Sequence, residues 1–278
     1  MQSNHCLNCG EALKPSQKYC SYCGQNTNIK RITLLNLAGD FIHSIVKVDK
    51  GWLHLIKGLS TKPGIVVLNY VEGKRKQYIN PFGFLALCIA ISLSISNSIR
   101  PYDSLPKANY GDISRMPTEH LKQLSEIANK RADKVLNFSD RNMNIITVFI
   151  TPYVAFMLWL FFRKRRRNIS EIALAYIFLT GFGMVVTTIF IYPIMLILRS
   201  YTVFTVLTWL SMILQTLYYA WAFKTFFNYK TMTGFIKVTS VLFLTGFIGF
   251  IFISIASFFY IYSGSLDLLY YLSQHQRN

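Results

Sequence analysis

The sequence predicts an all-α integral membrane protein with about five transmembrane helices, preceded by a small N-terminal four-cysteine zinc ribbon and amphipathic interfacial helices. Three observations carry this expectation. The 278 residues are 52% hydrophobic and 15% aromatic with a mean hydropathy of +0.33, too apolar for an ordinary soluble domain. Apolar runs of membrane length fill the chain after Pro81. Two Cys-x2-Cys pairs stand near its start. The expected organisation is a cytoplasmic zinc ribbon at 1–31, an amphipathic juxtamembrane arm at 32–81, a five-helix membrane domain at 82–262 with an outer loop at 100–141, and a C-terminal tail at 263–278.

The net charge of +17 raises the question of nucleic acid, and its placement answers it. Eleven of the 29 Lys and Arg residues lie in 1–80, and five more form the run Arg163, Lys164, Arg165, Arg166 and Arg167. Excess positive charge that flanks apolar runs is what cytoplasmic loops carry, so the bilayer is the expected partner and nucleic acid is not. The opening residues MQSNHCLNCG are polar and form no apolar leader, so the ribbon is expected to stay in the cytoplasm.

In the ribbon, Cys6 and Cys9 form one pair and Cys20 and Cys23 the other, each second cysteine followed by glycine, Gly10 or Gly24. Two thiolates three positions apart reach one metal only if the chain folds back tightly, and glycine accepts the positive φ of such a turn. Four thiolates make a closed tetrahedral site, so the expected cofactor is a structural Zn2+ with no open position for a catalytic water. Disulfides fit a reducing cytoplasm poorly, and a redox pair would follow a strand and open a helix. Lys14, Lys18, Lys30 and Arg31 against Glu11 make the ribbon only mildly basic, which favours docking to protein.

In the arm, Leu34, Ala38, Phe41, Ile45, Val48, Trp52 and Leu59 recur mostly at helical spacing. Such a stripe suits an anionic leaflet and the flank of a helical bundle equally. His43 and His54, eleven apart, lack a carboxylate cluster and read as packing or interface residues. From Pro63 to Pro81 an apolar stretch, Ile65–Tyr70, is ended by Glu72 and Gly73 and followed by Lys74, Arg75 and Lys76. Trp52, Tyr70, Lys74, Arg75, Lys76 and Tyr78, with Arg163 to Arg167, are the candidate membrane-interface residues.

The expected spans are Phe82–Ile99, Ile145–Phe162, Ile172–Leu198, Val203–Phe223 and Val238–Tyr262, each near or above the ~18 residues a bilayer requires. The first is polarised by Ser92, Ser94, Ser96 and Asn97, and the third is expected to bend at Pro193. Five spans put Lys74–Lys76, Arg163–Arg167, Lys224, Lys230 and Lys237 on the cytoplasmic face with the N-terminus, and the C-terminus on the other face. The loop 100–141 has eight basic and six acidic residues, as an external segment should, and residues 118–138 read as a short surface helix. Glycines at Gly181, Gly183, Gly246 and Gly249 read as points of close helix approach.

No Asp, Glu, Lys, Arg or His lies inside an expected span, Glu171 standing at an entrance. Proton relays, ion-coupled transport and intramembrane hydrolysis rely on such groups, and no HExxH, GxSxG or Walker-type motif occurs, so an enzyme is not expected. The expected function is a non-enzymatic scaffold or regulator that recruits partners through the ribbon, with self-association of the bundle as a further possibility. The alternative is a permease or lipid-handling transporter with a neutral pathway past Pro193 and Gln215.

Cys6, Cys9, Gly10, Cys20, Cys23, Gly24 and Gln25, followed in order by Asp49-Lys50-Gly51, Lys62-Pro63-Gly64, Tyr70 to Arg75 and Tyr78-Ile79-Asn80-Pro81, resemble the bacterial membrane-protein family filed as domain of unknown function 3667. The resemblance covers about the first third of the chain. It implies a zinc-ribbon protein of the bacterial cytoplasmic membrane and carries no known activity.

Overall fold

The computed structural model describes residues 5–14, 17–29, 31–33, 52–99, 117–198 and 200–264. The expectations for residues 34–51 of the arm, including His43, and for the first part of the outer loop, Arg199 and the tail from 265 lie outside these. Among the described residues the secondary structure is helical, apart from two isolated β-bridges, His5 with Ala12 and Tyr19 with Asn26, in the cysteine ribbon.

Among the described residues eight α-helices follow the ribbon: α1 (Trp52–Thr61), α2 (Pro63–Val71), α3 (Pro81–Ile99), α4 (Glu119–Phe162), α5 (Ile169–Val186), α6 (Tyr192–Leu198), α7 (Tyr201–Phe226) and α8 (Met232–Tyr262). Four stretches of the described residues are long and apolar enough to cross a membrane: Ile145–Arg165, Ile169–Met195, Thr205–Phe226 and Met232–Tyr262. The expected first span, Phe82–Ile99, is helical throughout and lies within α3, 19 residues long. Its serines are accommodated inside the helix: Ser94 and Ser96 donate back to the carbonyls of Ala90 and Leu93, and Ser92 is buried and accepts from Thr188 Oγ1.

One expectation is corrected. The short surface helix at 118–138 and the span from Ile145 are one helix, α4, 44 residues long. Residues 139–144 contain neither glycine nor proline, so the loss of hydropathy there marks no break in the helix. The third span carries a π-helical turn at Thr187–Ile191, just before Pro193. Proline has no N–H for the bond to residue i−4 and its ring crowds that carbonyl, here Ile189, so a wide turn one step upstream accommodates it.

The chain divides into two units, Met1–Pro101 with Thr147–Thr245, and Tyr102–Ile146 with Gly246–Asn278. In the first, α1 and α2 form a helical pair through the close approach of Gly58 to Val66, and Leu55, Leu59, Val66 and Val67 are buried. Gly64 lets α2 press on α7, where an added Cβ would stand 2.5 Å from the Ala222 carbonyl. Gly181 does the same for α5 on α3, with 2.7 Å to the Phe84 ring. Tyr218 of α7 donates to the Leu59 carbonyl at 2.9 Å. Close approach through glycine is what drives helix association where lipid is as apolar as the side chains. Gly246, expected to act likewise, has nothing within 4 Å of an added Cβ. In the second unit Ala128, Ala132 and Ile261 form a small core, and Arg131 Nη1 donates to the Ser263 carbonyl at 2.6 Å.

Candidate metal centre and its docking turn

Each cysteine pair builds the same knuckle. Gly10 N–H donates to the Cys6 carbonyl at 2.8 Å and Cys6 N–H to the Glu11 carbonyl at 2.8 Å; Gly24 N–H donates to Cys20 at 2.9 Å and Cys20 N–H to Gln25 at 2.8 Å. Gly10 and Gly24 have φ of +80° and +70°, the backbone that only glycine adopts without strain. The two turns aim four sulfurs at one point. Cys6 and Cys23 Sγ are 3.6 Å apart, Cys9 and Cys20 Sγ are 3.6 Å apart, and all four lie within 4.8 Å of one another.

That spacing is far beyond the ~2.05 Å of a disulfide. It is close to the ~3.8 Å sulfur separation of a tetrahedron with 2.3 Å metal–sulfur bonds. The crowded thiols also share their protons unevenly. Cys20 is pulled down to about 7, first by the Cys23 backbone and then by Tyr22 and the adjacent thiols. Cys9, despite a lowering hydrogen bond at the Glu11 backbone, is pushed up to about 12 by desolvation and by the sulfurs of Cys23, Cys20 and Cys6. A cation among the sulfurs favours the thiolate form at all four, so the donor set fits a metal ion. Among the described residues this is the group of His, Cys, Asp and Glu that can hold one; His54 instead lies against the Tyr78 ring at 5.6 Å.

The ribbon is docked on the turn between α2 and α3. That turn is a Schellman cap: Lys74 N–H reaches the Asn69 carbonyl at 2.8 Å and Gly73 N–H the Tyr70 carbonyl at 3.2 Å, with Gly73 at φ +108°. Gly73 is constrained a second time, because an added Cβ would meet Leu7 of the first knuckle at 2.9 Å and Ile29 at 3.4 Å. Gln25, 5% exposed, accepts from the backbone N–H of Arg75 at 3.1 Å and of Lys76 at 3.2 Å through one oxygen, Oε1. Asn80 then caps α3, its Oδ1 accepting from Phe82 N–H at 3.0 Å, with Pro81 at the first helical position.

After the ribbon the chain is clamped to the start of α5. Arg31 Nε donates to Glu171 Oε1 at 2.8 Å, and the Glu171 side chain is 4% exposed. That bond, with the carboxylate charge, raises the Arg31 pKa further. Asn168 and Glu171 form a reciprocal capping box, and Asn168 Nδ2 donates to the Ile32 carbonyl at 2.9 Å.

Of the candidate interface residues, Tyr70 and Tyr78 are buried within the protein, Tyr70 against the Phe178 ring at 5.1 Å. Trp52 packs on Phe84 at 5.3 Å. Lys74 Nζ donates to Asn69 Oδ1 at 3.3 Å, and Arg75 Nε to the Tyr70 carbonyl at 3.4 Å. Arg163, Lys164 and Arg165 form a 3-10 turn ended by Arg166 at φ +56°. Arg165 stacks on Tyr229 at 3.9 Å, Arg167 on Phe226 at 5.0 Å, and Arg167 reaches Glu72 at 3.7 Å.

Arg31, Asn168 and Glu171 were not legible as a site, because their partners lie 136 and 140 positions apart in sequence. The one available signal was Glu171 itself, a lone acid at the edge of an apolar run.

A family model described as Protein of unknown function (DUF3667) matches residues 49–93, the family that the sequence motifs resemble. No curated protein and no solved structure matches the chain. The matched stretch contains the docking turn of Gly73 and the capped start of α3; the four ribbon cysteines lie outside it.

Proposed function

We propose that this chain is a non-enzymatic scaffold or regulator of the bacterial cytoplasmic membrane, in which a zinc-bound ribbon fixed to the membrane domain recruits a protein partner. The carrying observation is that the ribbon is held on one side by Gln25 and Gly73 while Tyr19 and Tyr22 stand 60% and 79% exposed on it. Aromatic residues on a rigid support are what protein interfaces use as anchors. Four thiolates near tetrahedral spacing suit Zn2+ and leave no coordination position for chemistry. The orientation rests on charge: contacts among Glu72, Arg167, Arg165, Tyr229, Phe162 and Lys237 gather the basic clusters at one end of the helices. By the positive-inside rule that end, with the ribbon, is cytoplasmic and the C-terminus extracytoplasmic.

The test is affinity purification with Tyr22→Ala beside Cys20→Ser/Cys23→Ser, with zinc measured in each preparation. Loss of the same partners from both, with zinc retained by the tyrosine variant, is the expected result. An unchanged partner set from an inserted double-cysteine variant contradicts the reading.

A neutral transporter is the second reading, favoured by one feature inside the spans. At the π-helical turn Gln215 Nε2 donates to Thr187 Oγ1 at 3.0 Å, and Thr188 Oγ1 to Ser92 Oγ at 3.1 Å. π-turns recur at functional sites. Reconstitution into liposomes with uncharged solutes and lipids separates the two readings: flux that Gln215→Leu abolishes supports transport, and no flux removes it.

A further inference from the structure

The ribbon, the segment after it and the α2–α3 turn enclose a cavity of about 530 Å3. Small-molecule sites typically run from roughly 300 to 1,000 Å3. The cavity has two chemistries. Arg31, Arg75 and Lys76 line it together with Asn26 and Asn80, and among the described residues no acidic one lines it. Ile32, Phe82 and Leu174 supply an apolar wall.

The cations are held there by their own supports. Arg75 and Lys76 are placed by the backbone bonds to Gln25, and Arg75 Nε also donates to the Tyr70 carbonyl at 3.4 Å. Arg31 is anchored through Nε to Glu171 and through Nη2 to the Arg166 carbonyl at 3.3 Å, two of the five donors a guanidinium carries. The Glu171 carboxylate offsets Arg31, whereas Arg75 and Lys76 add two like charges to the same hollow, an arrangement that an anion with several acceptor oxygens favours. Arginine forks and asparagine amides match a phosphate group in particular.

We infer that this cavity binds a phosphate ester, its oxygens toward Arg31, Arg75 and Lys76 and its apolar body against Ile32, Phe82 and Leu174. Tyr19 lines the cavity and Tyr22 does not, so the Tyr22 variant leaves the site in place and the inference stands whether or not the ribbon recruits protein. The phosphate is carried either by a phospholipid headgroup or by a soluble ester.

The test uses the full-length protein with two probes. In one arm it is placed in nanodiscs of phosphatidylcholine containing phosphatidylglycerol, and retained lipid is counted by native mass spectrometry after transfer to detergent. In the other, inorganic phosphate is titrated by calorimetry. Lys76→Gln, at an exposed side chain, and Arg75→Gln are compared with Lys14→Gln and Lys57→Gln, which remove the same charge away from the cavity, with metal content confirming the ribbon in each.

The expected result is a loss of binding of about fivefold or more in the cavity variants against less than about twofold in the controls, the range of one charge-assisted contact. Retained phosphatidylglycerol assigns a lipid headgroup, and phosphate binding without retained lipid assigns a soluble ester. Equal losses in cavity and control variants, or binding of neither probe, overturns the inference.

Discussion

The stretches Ile169–Met195 and Met232–Tyr262 have nearly the same hydropathy, 2.1 and 2.4, and opposite surroundings, 61% and 17% buried. Composition therefore reports compatibility with a bilayer and says nothing about which helix the protein packs around. What separates them is small and local. Helix α5 carries Gly181 against Phe84 and a buried Glu171 at its start, whereas α8 presents Phe247, Phe250, Phe252 and Phe259 outward, each more than half exposed. One helix is organised by protein partners, and the other offers its surface to lipid.

Matched glycine substitutions give the largest test of that contrast. Gly181→Ala should cost about 1–3 kcal/mol by overpacking against a fully buried ring, read as a lowered thermal midpoint in detergent. An unchanged midpoint would mean that α5 is not tightly packed there. The ribbon side of the molecule comes next. Gln25→Ala removes the acceptor for two backbone N–H groups and should cost about 1–3 kcal/mol of docking, seen as protease cleavage within residues 17–33 while the helices stay intact.

A smaller effect is expected at the head of α5. Arg31→Gln strips the partner from a buried carboxylate, but Arg31 itself is 64% exposed, so the loss should be about 1 kcal/mol and should shrink in salt. The smallest effect has the opposite sign. Gly246→Ala places a methyl in open space on a helix and should be neutral or stabilising by up to about 1 kcal/mol; destabilisation there would show that α8 has a close neighbour.

Much of this was legible in sequence, for identifiable reasons. The knuckles were readable because their ligands and glycines are consecutive, and the spans because an apolar run registers without knowledge of its neighbours. The docking turn was half legible. Tyr70, Gly73, Tyr78 and Asn80 stood out as a motif, and so did Gln25, but that Gln25, Leu7 and Ile29 seat the ribbon on this turn was hidden, because they lie far upstream with no periodicity linking them to it. Helix boundaries were misread where hydropathy stood in for them, as at 139–144 of α4.

The central claim is that metal in the four-cysteine site keeps the ribbon seated on the membrane domain through Gln25. Hydrogen exchange at the Arg75 and Lys76 amides, measured in metal-loaded and chelated protein, tests it most directly, because both N–H groups end on the Gln25 side chain. Protection that is present with metal and lost on chelation is the expected result. Equal protection in the two states would show that the turn holds itself and that the ribbon is not coupled to it.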